Sequence, residues 1–172
     1  MQIYKLLSVL LEYPEQELID HLPELPARLA ECGDTDDAER VALCGFIDHL
    51  ATTPLTQLQE DYVQTFDMTA EHSLHLTHHL FGDDKNRGPA LIDLGELYKD
   101  YGVEVQGNEL PDYLPLILEF AAYLDDNEAM VFLSDAKKVF KVLTDNLTKA
   151  DSPYASLISI IEGRATLTRL AA

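Results

Sequence analysis

From Leu114 to Leu124 the chain reads Leu-Pro-Leu-Ile-Leu-Glu-Phe-Ala-Ala-Tyr-Leu, apolar at nearly every position, and this stretch narrows the possible folds more than any other. A segment that is apolar on most sides has to be surrounded by other elements. It carries Glu119 and falls far short of the roughly 20 residues that a bilayer requires, so it reads as the central helix of a folded domain. Elsewhere apolar residues recur at steps of three and four: Ile3, Leu6, Leu7, Leu10 and Leu11, then Leu18, Leu22, Leu25, Leu29 and Cys32, then Leu43, Cys44, Ile47, Leu50 and Ala51. That is the period of a helix face, and no strand-like alternation or internal repeat competes with it. The expected fold is all-α: a single helical bundle over residues 1–172, with about six to eight helices around a central buried one.

Prolines, glycines and caps divide this pattern. Pro14 stops the first helix, and Pro23 and Pro26 predict a kink or break in the second. Asp36 with Glu39 forms a capping box for the third, and Thr53-Pro54 supplies the N-cap and first residue of a fourth that buries Leu55, Leu58, Tyr62 and Phe66. Residues 67–89 are the least regular, with a short helix expected around 73–81 and then a loop containing Asp83-Asp84-Lys85-Asn86-Arg87. Helical spacing returns at Leu91, Leu94, Tyr98 and Tyr101 and ends at Gly102, and Gly107 to Pro111 forms a turn. Pro115 is tolerable only in a first helical turn, which makes Asp112 the expected N-cap of the central helix. One long helix then carries Leu133, Ala136, Phe140, Leu143 and Leu147, and Ser152-Pro153 opens the last.

Charge and motif content exclude several functions. With 12 Lys and Arg against 31 Asp and Glu, the net charge is −19. In residues 1–80 only Lys5, Arg28 and Arg40 oppose 15 acids, so phosphate backbones and anionic lipid heads are repelled. Cys32 and Cys44 form no C-x-x-C, which argues against a disulfide scaffold or structural zinc and makes the cytoplasm the default compartment. The short apolar run Leu6 to Leu11 does not make a signal peptide. No glycine spacing matches a nucleotide-binding loop, and no serine lies in G-x-S-x-G. His72, His75 and His79 could share one helix face, but a single helix seldom converges three rings on one ion, so a solvated polar face is expected. His21 and His49 read as surface or boundary residues.

A binding groove has more support than catalysis. Asp112 and Glu119 are seven residues apart and project on one side of an otherwise apolar rod. Glu119 is expected to pair with a basic neighbour, reach solvent or border a groove, since a carboxylate on a mostly buried helix is costly when unpaired. Tyr62, Phe66, Phe81, Tyr98 and Tyr113 cluster around the irregular region, most of them as core and some as groove lining.

Four blocks occur in order: Leu10-Leu-Glu-Tyr-Pro14, Tyr62-Val-Gln-Thr-Phe-Asp67, Gly82 through Arg87-Gly-Pro-Ala-Leu-Ile-Asp-Leu94, and Glu109-Leu-Pro-Asp-Tyr-Leu-Pro115. Together they resemble the NarJ family of respiratory nitrate reductase assembly chaperones, within the wider TorD-like group of molybdoenzyme chaperones. The resemblance implies a cytoplasmic, monomeric, non-catalytic protein with no cofactor of its own. Its partner would be the apo catalytic subunit of nitrate reductase, bound through that subunit's N-terminal segment and held until the molybdenum cofactor is inserted. The implied peptide-binding residues are Tyr62, Phe66, Arg87, Gly88, Leu91, Tyr98, Leu110, Pro111, Asp112, Tyr113, Pro115 and Glu119. The sequence departs from the family pattern at Tyr113 and Phe81, where histidine is usual or common, and relatives carry a further C-terminal extension. Two other classes predict different observations. A histidine-based metal protein would hold stoichiometric zinc or iron, and a general acidic interaction module would not select a reductase peptide.

Overall fold

The computed structural model describes residues 2–166 apart from 32, 83 and 106, so expectations that fall on Cys32 and Asp83 lie outside the described residues. The chain folds into α1 (Gln2–Leu11), α2 (Gln16–His21), α3 (Leu25–Glu31), α4 (Asp37–Thr52), α5 (Leu55–Tyr62), α6 (Leu76–Phe81), α7 (Arg87–Asp100), α8 (Leu114–Tyr123), α9 (Asp126–Ser134), α10 (Lys137–Lys149) and α11 (Ala155–Arg164). Short 3₁₀ turns occupy Leu22–Glu24 and Ala70–His72, and a π turn spans Val63–Asp67. The architecture is all-α. A single antiparallel bridge between His75 and Tyr113 is the extended pairing among the described residues.

Helix α8 is the centre of the bundle. Leu114, Ile117, Leu118, Phe120 and Ala121 are buried, and α1 packs along it through Ile3, Leu7, Leu10 and Leu11. On another side α10 and α11 pair through Phe140, Leu143, Leu147, Leu157, Ile158 and Ile161, and α4 packs on α11. Pro115 sits in the first turn of α8, where a missing N–H breaks no helical bond. Asp36 and Glu39 close the expected capping box at α4. Gly102, at φ 73°, ends α7 in the left-handed conformation that glycine adopts without a Cβ penalty.

The helical segments outnumber six to eight because several periodic runs are interrupted. The expected long helix after α8 is broken at Asp135 and Ala136 into α9 and α10, and α9 starts with its own capping box between Asp125 and Glu128. Thr53 does not cap α5: its hydroxyl lies 3.5 Å from His49 Nδ1, Pro54 takes the cap position, and the helix begins at Leu55. The π turn after Tyr62 carries Phe66 into the core. At the far end Arg164, 4 % exposed, donates to Glu39 at 2.8 and 2.6 Å and to the Asp34 carbonyl at 2.6 Å. This buried pair ties the end of α11 to the start of α4. Among the described residues no helix is long and apolar enough to cross a membrane.

Candidate peptide-binding site

The segment entering α8 is held from both sides. Leu76 N donates to Asp112 O at 3.1 Å and Leu114 N donates to Leu74 O at 2.9 Å, so the starts of α6 and α8 are stitched together. Asp112 is fully buried, and it is not the N-cap of α8; Tyr113 holds that position with no side-chain cap bond. Its carboxylate instead accepts from Thr77 N at 3.0 Å, from the Thr77 hydroxyl, and from His75 Nδ1 at 3.2 Å. Asp112 thus caps α6 from 35 residues away. Local spacing could not reveal a cap supplied by a distant helix. Burial pushes the Asp112 carboxyl up, but the bonds from His75 and Thr77 outweigh it and hold the group below its ordinary value. Arg87 Nε completes the chain by donating to the Thr77 hydroxyl at 3.0 Å.

The histidines do not form the expected solvated face. Helix α6 starts only at Leu76 and His72 belongs to a separate turn, so His72, His75 and His79 do not lie along one helix. Each is half-buried and bonded: His72 Nδ1 donates to Thr65 O, His75 meets Asp112, and His79 Nε2 donates to Ser73 O. Among the described residues no group of three or more His, Cys, Asp or Glu side chains could hold a metal ion.

Behind Tyr113 stands an aromatic cluster. The Tyr62 hydroxyl donates to Leu11 O at 3.0 Å and accepts from the Tyr113 hydroxyl at 3.0 Å, and the Tyr62 ring meets Tyr13, Phe66 and Tyr154 edge-on. Tyr98 is fully buried, donates to Pro111 O at 2.8 Å and packs on Phe120. Tyr62 and Phe66 therefore join Tyr113, Arg87 joins Asp112 through Thr77, and Tyr98 fixes Pro111. Leu110 is 41 % exposed beside them.

In front of Tyr113 a cleft of about 1090 Å³ opens between α1, α2, α3 and α8. Its apolar surface comes from Leu6, Val9, Leu18, Leu25 and Ala122, with Tyr13 and Tyr113. Glu12, Glu15, Glu17 and Glu109 line it against Lys5 and Arg28, so acids outnumber strong bases two to one. Burial pushes the Glu12 carboxyl up, and Glu119 and Glu15 push it further; Glu119 itself is exposed on α8 and does not line the cleft. Gly88, Leu91, Arg87 and Asp112 do not line the cleft. Leu6, which its spacing groups with the core face of α1, instead lines the cleft beside Val9, a residue that falls outside that apolar stripe.

Residues 31–158, most of the chain, match the family model described as nitrate reductase delta subunit. The chain belongs to the nitrate reductase delta subunit family. Within this delta subunit family it is similar to the nitrate reductase molybdenum cofactor assembly chaperone NarJ of Escherichia coli K12, 33 % identical over 156 residues. That match covers 91 % of this chain and 66 % of the relative, so the chain spans just under two thirds of its length. It is 34 % identical over 158 residues to the probable NarJ of Bacillus subtilis 168, covering 92 % and 85 %. It is also 32 % identical over 161 residues to the nitrate reductase-like protein NarX of Mycobacterium tuberculosis, covering 92 % of this chain and 24 % of that much longer one.

Proposed function

We propose that this chain is a dedicated, non-catalytic assembly chaperone that works in the cytoplasm as a monomer. It holds the N-terminal segment of the apo catalytic subunit of a respiratory nitrate reductase until the molybdenum cofactor is inserted and the subunit docks at the membrane. The observation that carries this reading is the acid-lined apolar cleft on a member of a family that includes nitrate reductase assembly chaperones. Such a cleft suits an amphipathic helix that lays its apolar face against Leu6, Val9 and Leu18 and turns basic residues toward Glu12, Glu109 and Glu119. The match inside the longer NarX chain adds support, because there the same kind of sequence shares a polypeptide with the rest of a nitrate reductase-like protein.

The residues take different parts in this reading. Tyr113 meets the ligand, joined by Tyr13 and Glu12, with Glu119 and Leu110 at the edge. Tyr62, Phe66, Tyr98, Pro111 and Pro115 shape the wall from behind, and Asp112 with Arg87 positions the segment that carries Tyr113. Gly88 and Leu91 have no part in this cleft. Purifying the tagged chain from nitrate-respiring cells is expected to bring the catalytic subunit with it. Deleting the gene is expected to leave reductase subunits made but inactive and poor in cofactor. Full nitrate reductase activity in the deletion strain, with no second chaperone present, would contradict the reading.

A further inference from the structure

A second cavity, about 380 Å³, lies between the π turn Val63–Asp67, α4, α5 and the turn that joins α10 to α11. Two polar side chains that line it lack partners. The Ser152 hydroxyl oxygen is buried with no hydrogen bond, and Tyr154, 3 % exposed, has none for its own hydroxyl among the described residues. Buried hydroxyls are normally bonded; Ser152 Oγ is the buried orphan here, while the unbonded Tyr154 hydroxyl is not fully buried and is free to bond a polar occupant of the cavity it lines.

The remaining lining defines that occupant's chemistry. Asp61 and Asp151 contribute carboxylates, and among the described residues no Lys or Arg lines the cavity. Asp61 Oδ1 takes one bond from Gln57 Nε2 at 2.9 Å, which leaves Oδ2. His72 donates through Nδ1 to Thr65 O, which leaves Nε2 as an acceptor when the ring is neutral. Burial and Asp61 both push the Tyr154 phenol up, so it stays protonated and neutral. The site is thus rich in acceptors and carries negative charge, and its volume admits one side chain or small ligand. A guanidinium, planar with five donors and weakly hydrated, matches this set better than a compact ammonium. The π turn, a form often found at functional sites, places Gln64 and Thr65 in the wall.

We propose that this cavity binds a guanidinium cation, with Asp61 as counter-ion and the Ser152 and Tyr154 hydroxyls as hydrogen-bond partners. The site is separate from the α1–α8 cleft and does not depend on what that cleft binds. The test is calorimetry and amide NMR on the whole chain with N-acetyl-L-arginine amide, its neutral citrulline counterpart and free L-arginine. The arginine amide is expected to shift the signals of Thr65, His72 and Ser152, and the citrulline compound to bind about tenfold more weakly. Asp61 is exposed, so Asp61→Asn is expected to keep the fold by circular dichroism and to weaken arginine binding about fivefold. Tyr154→Phe, which keeps the ring, is expected to weaken it as well. Tighter binding of the blocked form assigns the site to an arginine side chain of a polypeptide, and tighter binding of L-arginine assigns it to a free metabolite. Either result supports the site. Equal binding of the arginine and citrulline compounds, no shift at these residues, or shifts that persist unchanged in Asp61→Asn would overturn it.

Discussion

Replacing Asp112 with asparagine is expected to cost about 1.5–3 kcal/mol, the usual worth of a hydrogen bond to a charged group, because the buried Thr77 donors lose their ionised acceptor. The Asp112 carboxyl is held below its ordinary value, so its contribution is complete above about pH 3.9 and is lost as the pH falls through the lower folded-state value. Urea denaturation at pH 7 and near pH 3 checks both points: the difference between the two proteins is expected to be large at pH 7 and to shrink in acid. Arg164→Met is expected to cost about 3–5 kcal/mol, because it leaves Glu39 buried without its strongest partner. Adding Glu39→Gln removes that buried charge and keeps an acceptor for Asp36 N, so the double variant is expected to regain much of the loss in thermal melts. The sequence marked Asp112 as important and misassigned its job. It offered no sign of the Arg164–Glu39 pair, whose members are 125 residues apart: Glu39 reads only as a capping residue and Arg164 as an ordinary surface charge until the helices pack.

Elements whose limits are set locally were legible. Pro14, the Asp36–Glu39 box, Pro115 and Gly102 each act within one helical turn, and the structure places helix ends beside all four. Leu118 in α8 is fully buried, so Leu118→Ala is expected to cost about 2–5 kcal/mol, read from the urea midpoint. A negligible change would place α8 at the surface instead. Elements set by tertiary packing were not legible. The break at Asp135 and Ala136 occurs without a proline or glycine, inside a run whose apolar spacing continues unbroken. The π turn has no composition signal either, and it puts Phe66 against Tyr62 and Tyr154.

At the scale of the whole molecule, the −19 charge and the acidic cleft bear on the same event. Exposed charges are screened beyond about 8–10 Å at 0.1–0.15 M salt, so added salt is expected to slow association of a basic segment more than it speeds dissociation. Glu12 titrates above its ordinary value because of burial, Glu119 and Glu15, and its ionised form is therefore penalised in the empty cleft. A cationic ligand relieves that penalty, so affinity is expected to rise with pH as Glu12 ionises. The sequence supplied Tyr113 for this surface, but the opposite wall needed the fold, because α1, α2 and α3 meet the segment before α8 only after packing. Titration calorimetry with the first residues of the cognate reductase catalytic subunit, at two salt concentrations, tests the central claim most directly. Binding in the micromolar to nanomolar range is expected, about −8 to −12 kcal/mol, with a clear loss in the Glu12→Gln and Glu119→Gln variants that is greatest at low salt. No binding, or the same affinity in wild type and both variants at both salt concentrations, would contradict the assignment of this cleft.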